Sequence, residues 1–125
     1  MAAIRITGSN TSTGDLTLED NNGNSATNFN AQRGHVITWE IQPNSGVSAL
    51  TGFAQENVNG NTNVFSSYPA QQGNSSNWQG TVDANLNSNN SYSDSYDITW
   101  QDAQGISHTY DPMIQINPVL PDATH

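Results

Sequence analysis

Between His35 and Ile41 every second side chain is large and apolar: Ile37, Trp39 and Ile41 alternate with Val36, Thr38 and Glu40. A period of two places the first set on one face of an extended strand and the second set on the other. Ser95–Gln101 repeats the pattern with Tyr96, Ile98 and Trp100. Shorter runs of the same kind recur along the chain, cut by turn residues at intervals of roughly 8–12 positions, the spacing of an all-β sandwich or barrel. The predicted strands are Ile4–Thr7, Leu16–Asp20, Ala26–Phe29, His35–Ile41, Val47–Ala54, Asn63–Phe65, Trp78–Ala84, Ser95–Gln101, Ser107–Tyr110 and Met113–Asn117. Asn21-Asn22-Gly23-Asn24 reads as a hairpin turn, since Asn-Gly accepts the positive φ that a tight turn demands. Tyr68–Asn77 reads as a loop. No 3.6-residue apolar stripe appears, and a chain this rich in Asn, Ser, Thr and Gly opposes helix interiors.

Composition narrows the chemistry. The 125 residues include 18 Asn, two Arg (Arg5 and Arg33), no Lys and no Cys. Schiff-base and P-loop lysines, thiol nucleophiles, disulfides, thiolate metal sites and Lys–Asn isopeptide crosslinks are therefore impossible. Only 10% of residues are charged, against about 25% in ordinary soluble domains, so hydration falls to amides and hydroxyls. A polar chain of this kind competes with disorder; the clustered apolar runs and ten aromatics decide for a fold. The net charge of -9 repels polyanions, which excludes nucleic acid and anionic membrane surfaces as partners. No segment reaches the roughly 20 apolar residues of a membrane span, so no membrane insertion is expected. Met1-Ala2-Ala3-Ile4-Arg5 lacks the apolar core of a secretory signal. The localisation is open between an intracellular protein and a mature extracytoplasmic form with an added Met.

Two stretches carry a family resemblance. Phe29-Asn30-Ala31-Gln32-Arg33-Gly34-His35-Val36-Ile37-Thr38-Trp39 resembles the cupredoxin strand in which Gly precedes a Val-Thr-Trp run. Tyr96-Asp97-Ile98-Thr99-Trp100, followed by Gly105 and His108-Thr109-Tyr110, resembles the closing hairpin before the copper loop, with Met113-Ile114-Gln115-Ile116 as the last strand. The resemblance implies a cupredoxin-like fold. It does not imply electron transfer, because blue copper takes two His, a Cys and a weak axial Met. Cys is absent, and Asp111-Pro112 stands where the cysteine loop would begin. Tyr110-Asp111-Pro112-Met113-Ile114 is also similar to the last strand of bacterial inclusion-body proteins of the PixA/AidA type. The near-repeat Ile37-Thr38-Trp39-Glu40 and Ile98-Thr99-Trp100-Gln101 reads as two central strands whose Trp side chains fill one core.

The expected fold is thus all-β: a single antiparallel sandwich of about seven to nine strands, cupredoxin- or immunoglobulin-like, over residues 1–117 with a tail at 118–125. Its expected core is Trp39, Trp100, Ile37, Ile41, Ile98, Ile114 and Ile116.

Candidate sites divide by chemistry. His35 and His108 could meet as a two-His metal site beside Met113 or Asp111, but the short His spacing of such sites is missing, and His125 stands apart. Asp20, Asn22 and Asn24 offer Ca²⁺ the hard oxygen ligands it takes, with Asp83, Asp94 or Asp97 as additional ligands if folding brings them close. The terminal Glu of a helix–loop–helix calcium loop is missing, and an Asn-Gly turn explains the same residues. No nucleophile elbow or paired carboxylate motif supports an enzyme. For a neutral glycan, Trp78, Tyr68 and Tyr92 with Phe65 would be the aromatic platform, and Asn74, Asn77, Asn87 and Asn90 the hydrogen-bonding amides. A lysine-free chain also lacks the commonest guard of sheet edges. The favoured reading is a non-catalytic structural or interaction module that self-assembles through those edges, with itself or another protein as partner and no cofactor. The alternative is a lectin-like glycan-binding module assisted by Ca²⁺.

Overall fold

Ten strands form two facing sheets. The computed structural model describes residues 2–118; His125 and positions 119–125 of the expected tail lie outside the described residues. The strands are β1 (Ala2–Ser9), β2 (Leu16–Glu19), β3 (Asn28–Ala31), β4 (Val36–Ile41), β5 (Val47–Gln55), β6 (Phe65–Gln71), β7 (Trp78–Val82), β8 (Tyr92–Asp102), β9 (Ser107–Tyr110) and β10 (Met113–Ile116). One sheet runs β2-β1-β4-β7-β6; the other runs β3-β10-β8-β5, with β9 also paired to β8. The ten strands equal in number the ten segments predicted one by one and exceed the seven to nine expected of the sandwich as a whole.

The alternation predicted for β4 and β8 decides which side chains enter the core. Ile37, Trp39, Tyr96, Ile98, Trp100, Ile114 and Ile116 are fully buried, joined by Ile4, Ile6, Val64 and Val82. Each such side chain contributes about 1.5–3 kcal/mol on leaving water. Ile41, at the end of β4, is only half-buried against this cluster. The two buried indoles keep their N–H groups satisfied: Trp39 Nε1 donates to the Tyr96 hydroxyl at 3.2 Å, and Trp100 Nε1 to the Gly14 carbonyl at 2.9 Å.

The expected all-antiparallel pairing is corrected at two places. β1 pairs with β4 in parallel, and β3 pairs with β10 in parallel. The cause is a change of sheet. The turn at Asp20–Asn24 begins a hairpin, with Glu19 bridged to Ser25 and Ala26 N donating to the Leu18 carbonyl. The chain then leaves β2 and enters the other sheet as β3, so β4 returns beside β1 in the same direction. Parallel neighbours need such a crossover.

Two local features also differ from expectation. Residues 68–71 belong to strand β6, and the connection to β7 shrinks to 72–77. Pro69 disguises the strand, but β6 is an edge, where a missing N–H costs no ladder bond. Secondly, β9 and β10 flank one side of the eleven-residue β8 as a single line broken at Asp111-Pro112. Pro112 has no N–H, yet its carbonyl accepts from Tyr96 N at 3.1 Å and keeps the line in register.

Candidate functional site

The predicted glycan residues do not form one surface. Trp78 opens β7 directly opposite Trp39, so its ring points between the sheets and stacks on Phe53 at 5.1 Å. Phe53 stacks in turn on Tyr96, and Tyr68 packs edge-on against Phe65. These rings form one aromatic cluster between β5 and β6, and Trp78 and Tyr68 are partly buried in it. The Tyr68 hydroxyl and Trp78 Nε1 are buried without a hydrogen-bond partner. Burial pushes the Tyr68 phenol up to about 12, helped by the Asp94 and Asp97 charges. Asn74 and Asn77 lie in the 72–77 turn next to this cluster.

Tyr92, Asn87 and Asn90 belong to a different assembly, built on Arg33. Its guanidinium donates to four backbone carbonyls: Leu86 at 3.0 Å, Asn117 at 2.9 Å, Asn87 at 2.6 Å and Asn90 at 2.9 Å. It also lies 6.0 Å from the centre of the Tyr92 ring, whose hydroxyl accepts from Asn87 N. The fork of guanidinium donors suits such a clamp. Arg5 likewise donates to a carbonyl, that of Asp20. Neither Arg pairs with a carboxylate among the described residues; Asp102 meets the His108 ring instead.

His35 and His108 do not meet. His35 precedes β4 and bonds Val82 across the β4–β7 end. His108 lies on β9 against Trp100 and beside Gly14, at the opposite end of the sandwich. The length of β4 alone separates the ends by about 20 Å. His108 Nε2 meets Asp102 Oδ2 at 2.9 Å, while Asp102 Oδ1 accepts from Gln104 N and Ile106 N. The His108 hydrogen bond, then the two amide bonds, hold the Asp102 carboxyl below its usual range.

The Asp20 loop is an Asx turn. Asp20 Oδ1 accepts from Asn22 N at 2.8 Å and Asn24 N at 3.0 Å, which commits that oxygen to the backbone. Asp94 and Asp97 do not join it: they alternate along β8, Asp94 facing inward and Asp97 outward.

The acidic grouping lies elsewhere. Glu56, just after β5, Asp97 on β8 and Asp111 at the β9–β10 break bring carboxyl oxygens within 4.8 Å of one another. Hydrogen bonding to Asp111, then to Asp97, holds a proton on Glu56 and pushes it up to about 7. Such a trio can share a proton. Asp97 stands out in the sequence, but nothing there pairs it with Glu56 and Asp111. Their meeting follows from β5 and the β9–β10 line flanking β8. Beneath β8, Asp94 is fully buried. Its Oδ2 accepts from Val64 N at 3.1 Å, Oδ1 has no partner, and burial raises it to about 6.

The trio stands at the end of an open edge. β5 pairs with β8 and borders no second strand in its sheet; it runs nine residues, VSALTGFAQ, without a charge or a proline. The other edges are shorter or broken: β2 and β3 have four residues each, and β6 contains Pro69. Comparison with protein-family models and with the curated proteins finds no match to this chain.

Proposed function

We propose that this chain is a non-catalytic structural module, a copper-free cupredoxin-like sandwich that associates with copies of itself through a sheet edge. The observation that carries this reading is β5. An edge strand presents unpaired N–H and C=O groups as a template for another strand, and native sheets suppress this with Lys, Pro or short length. β5 has none of these guards, and Ser48, Thr51, Ala54 and Gln55 stand exposed along it. Its two register irregularities, at Val47/Ala49 and Leu50/Gly52, limit the stretch a partner strand would match. Acidic side chains are absent from β5 itself and concentrate beyond its end, at Glu56 and its neighbours. Self-repulsion from the net charge of -9 therefore acts around the edge rather than along it.

The test is sedimentation velocity across a concentration series, with negative-stain imaging of the concentrated sample. Ordered oligomers are expected, and Thr51→Lys with Ala54→Lys should return them to monomers without lowering the melting temperature. A wild-type chain that stays strictly monomeric at high concentration rules the reading out.

A further inference from the structure

We propose that Asn59-Gly60 is a site of spontaneous covalent modification, where the chain converts its own asparagine into aspartate and isoaspartate through a cyclic imide. Asparagine is among the thermolabile residues, and this chain has 18. The reaction needs the backbone nitrogen of the next residue to attack the side-chain amide carbon. Glycine in that next position leaves the approach open, and two Asn-Gly pairs occur, Asn22-Gly23 and Asn59-Gly60. The structure distinguishes them.

At Asn22-Gly23 the attacking nitrogen is engaged. Gly23 N donates to the Asp20 carbonyl at 3.1 Å. The amides on either side, Asn22 N and Asn24 N, are pinned to Asp20 Oδ1. Reaction there must first break the turn. At Asn59-Gly60 the turn is closed outside the reacting pair, by Asn61 N donating to the Val58 carbonyl at 3.2 Å. Among the described residues Gly60 N has no hydrogen-bond partner. Both residues are exposed, Gly60 has φ +81°, and no atom lies within 4 Å of where a Cβ would stand. Gly60 thus occupies the third position of a hydrogen-bonded turn of the type that favours glycine there. Two of the five Asn-Ser pairs are engaged in the same way: Ser75 N donates to the Gln72 carbonyl and Ser45 N to the Gln42 carbonyl.

The step balances with water alone. Deprotonated Gly60 N attacks Asn59 Cγ, the new C–N bond closes a five-membered imide, and the Cγ–Nδ2 bond breaks to release ammonia. Water then opens the ring. Cleavage at the Cγ–N bond gives aspartate; cleavage of the bond to the former backbone carbonyl gives isoaspartate, with the main chain rerouted through the side chain. Either product adds a negative charge in the loop whose Asn61 side chain bonds the Glu56 carbonyl and the Ser95 backbone. The modification therefore places a fresh carboxylate close to Glu56, at the end of β5.

Peptide mapping by mass spectrometry, after incubation of the folded protein at mildly alkaline pH, tests the site. A methyltransferase assay on the same samples reports isoaspartate. Loss of one net hydrogen bond at the nucleophile corresponds to about fivefold, so Asn59 is expected to deamidate at least about fivefold faster than Asn22. Asn59→Gln should remove the leading product while leaving the slow one at Asn22. In concentrated urea the two rates should converge, because the distinction belongs to the fold. Equal rates in the folded protein, or a lead by Asn22, overturn the proposal, as does a rate ratio that urea leaves unchanged.

Discussion

Arg33 shows how a single side chain can organise one end of a weakly charged sandwich. Four backbone carbonyls converge on one guanidinium, so Arg33→Ala is expected to cost about 2 kcal/mol. Arg33→Lys should recover less than half of this, since an ammonium cannot reproduce the planar fork. Urea unfolding at fixed pH measures both, and an alanine variant within about 0.5 kcal/mol of wild type would remove the clamp from the account. Asp94 is the opposite case, a buried acid with one oxygen unpartnered. Its folded pKa lies above the unfolded value, so its contribution is fully present below about 3.8 and lost as pH rises through about 6. Asp94→Asn keeps an acceptor for Val64 N and cannot ionise. It should melt higher than wild type at pH 7 and converge with it below pH 4; a lower melting temperature at pH 7 contradicts this. Neither role was legible in the sequence. Arg33 appeared there as one of two arginines and as part of a family-like stretch, and Asp94 as an additional Ca²⁺ ligand for the Asp20 loop, because their partners come from remote turns and strands.

At the scale of elements, alternation carried most of the information. β4 and β8 were readable because Ile37, Trp39, Ile98 and Trp100 repeat with period two and strands have two faces. β6 was only partly readable, since Pro69 and the Gln-Gly that follows mimic a loop. Its packing is close: a Cβ on Gly80 would lie 3.1 Å from the Pro69 ring and 3.2 Å from the Phe65 ring. Gly80→Ala should therefore push β6 from β7 and cost about 1–3 kcal/mol. Hydrogen exchange should quicken at β6–β7 amides, while β1–β4 amides stay protected. Uniform protection in the variant would show that the edge strand yields without loss.

For the whole molecule, the displaced carboxyls predict an unusual pH profile. Glu56, raised to about 7 by its carboxyl neighbours, and Asp94, raised by burial, both bind protons more tightly when folded. Stability should rise as pH falls from about 7 to about 4.5. Asp102 acts in the reverse sense: its carboxyl is held below the usual range, so its stabilisation is lost as acid protonates it below pH 3.8. A melting-temperature scan should show a maximum on the acid side of neutrality, and Glu56→Gln should flatten its upper limb. A profile that falls steadily from pH 7 to pH 5 would contradict both assignments. The sequence by itself determined the all-β class and six of the seven expected core residues as fully buried, because burial in a strand follows from a local period of two. The parallel pairs β1–β4 and β3–β10, the separation of His35 from His108, the inward turn of Trp78 and the meeting of Glu56, Asp97 and Asp111 were decided only by the tertiary structure. They depend on which strand lies beside which, and that choice is settled when two sheets close over one core, where no local pattern records it.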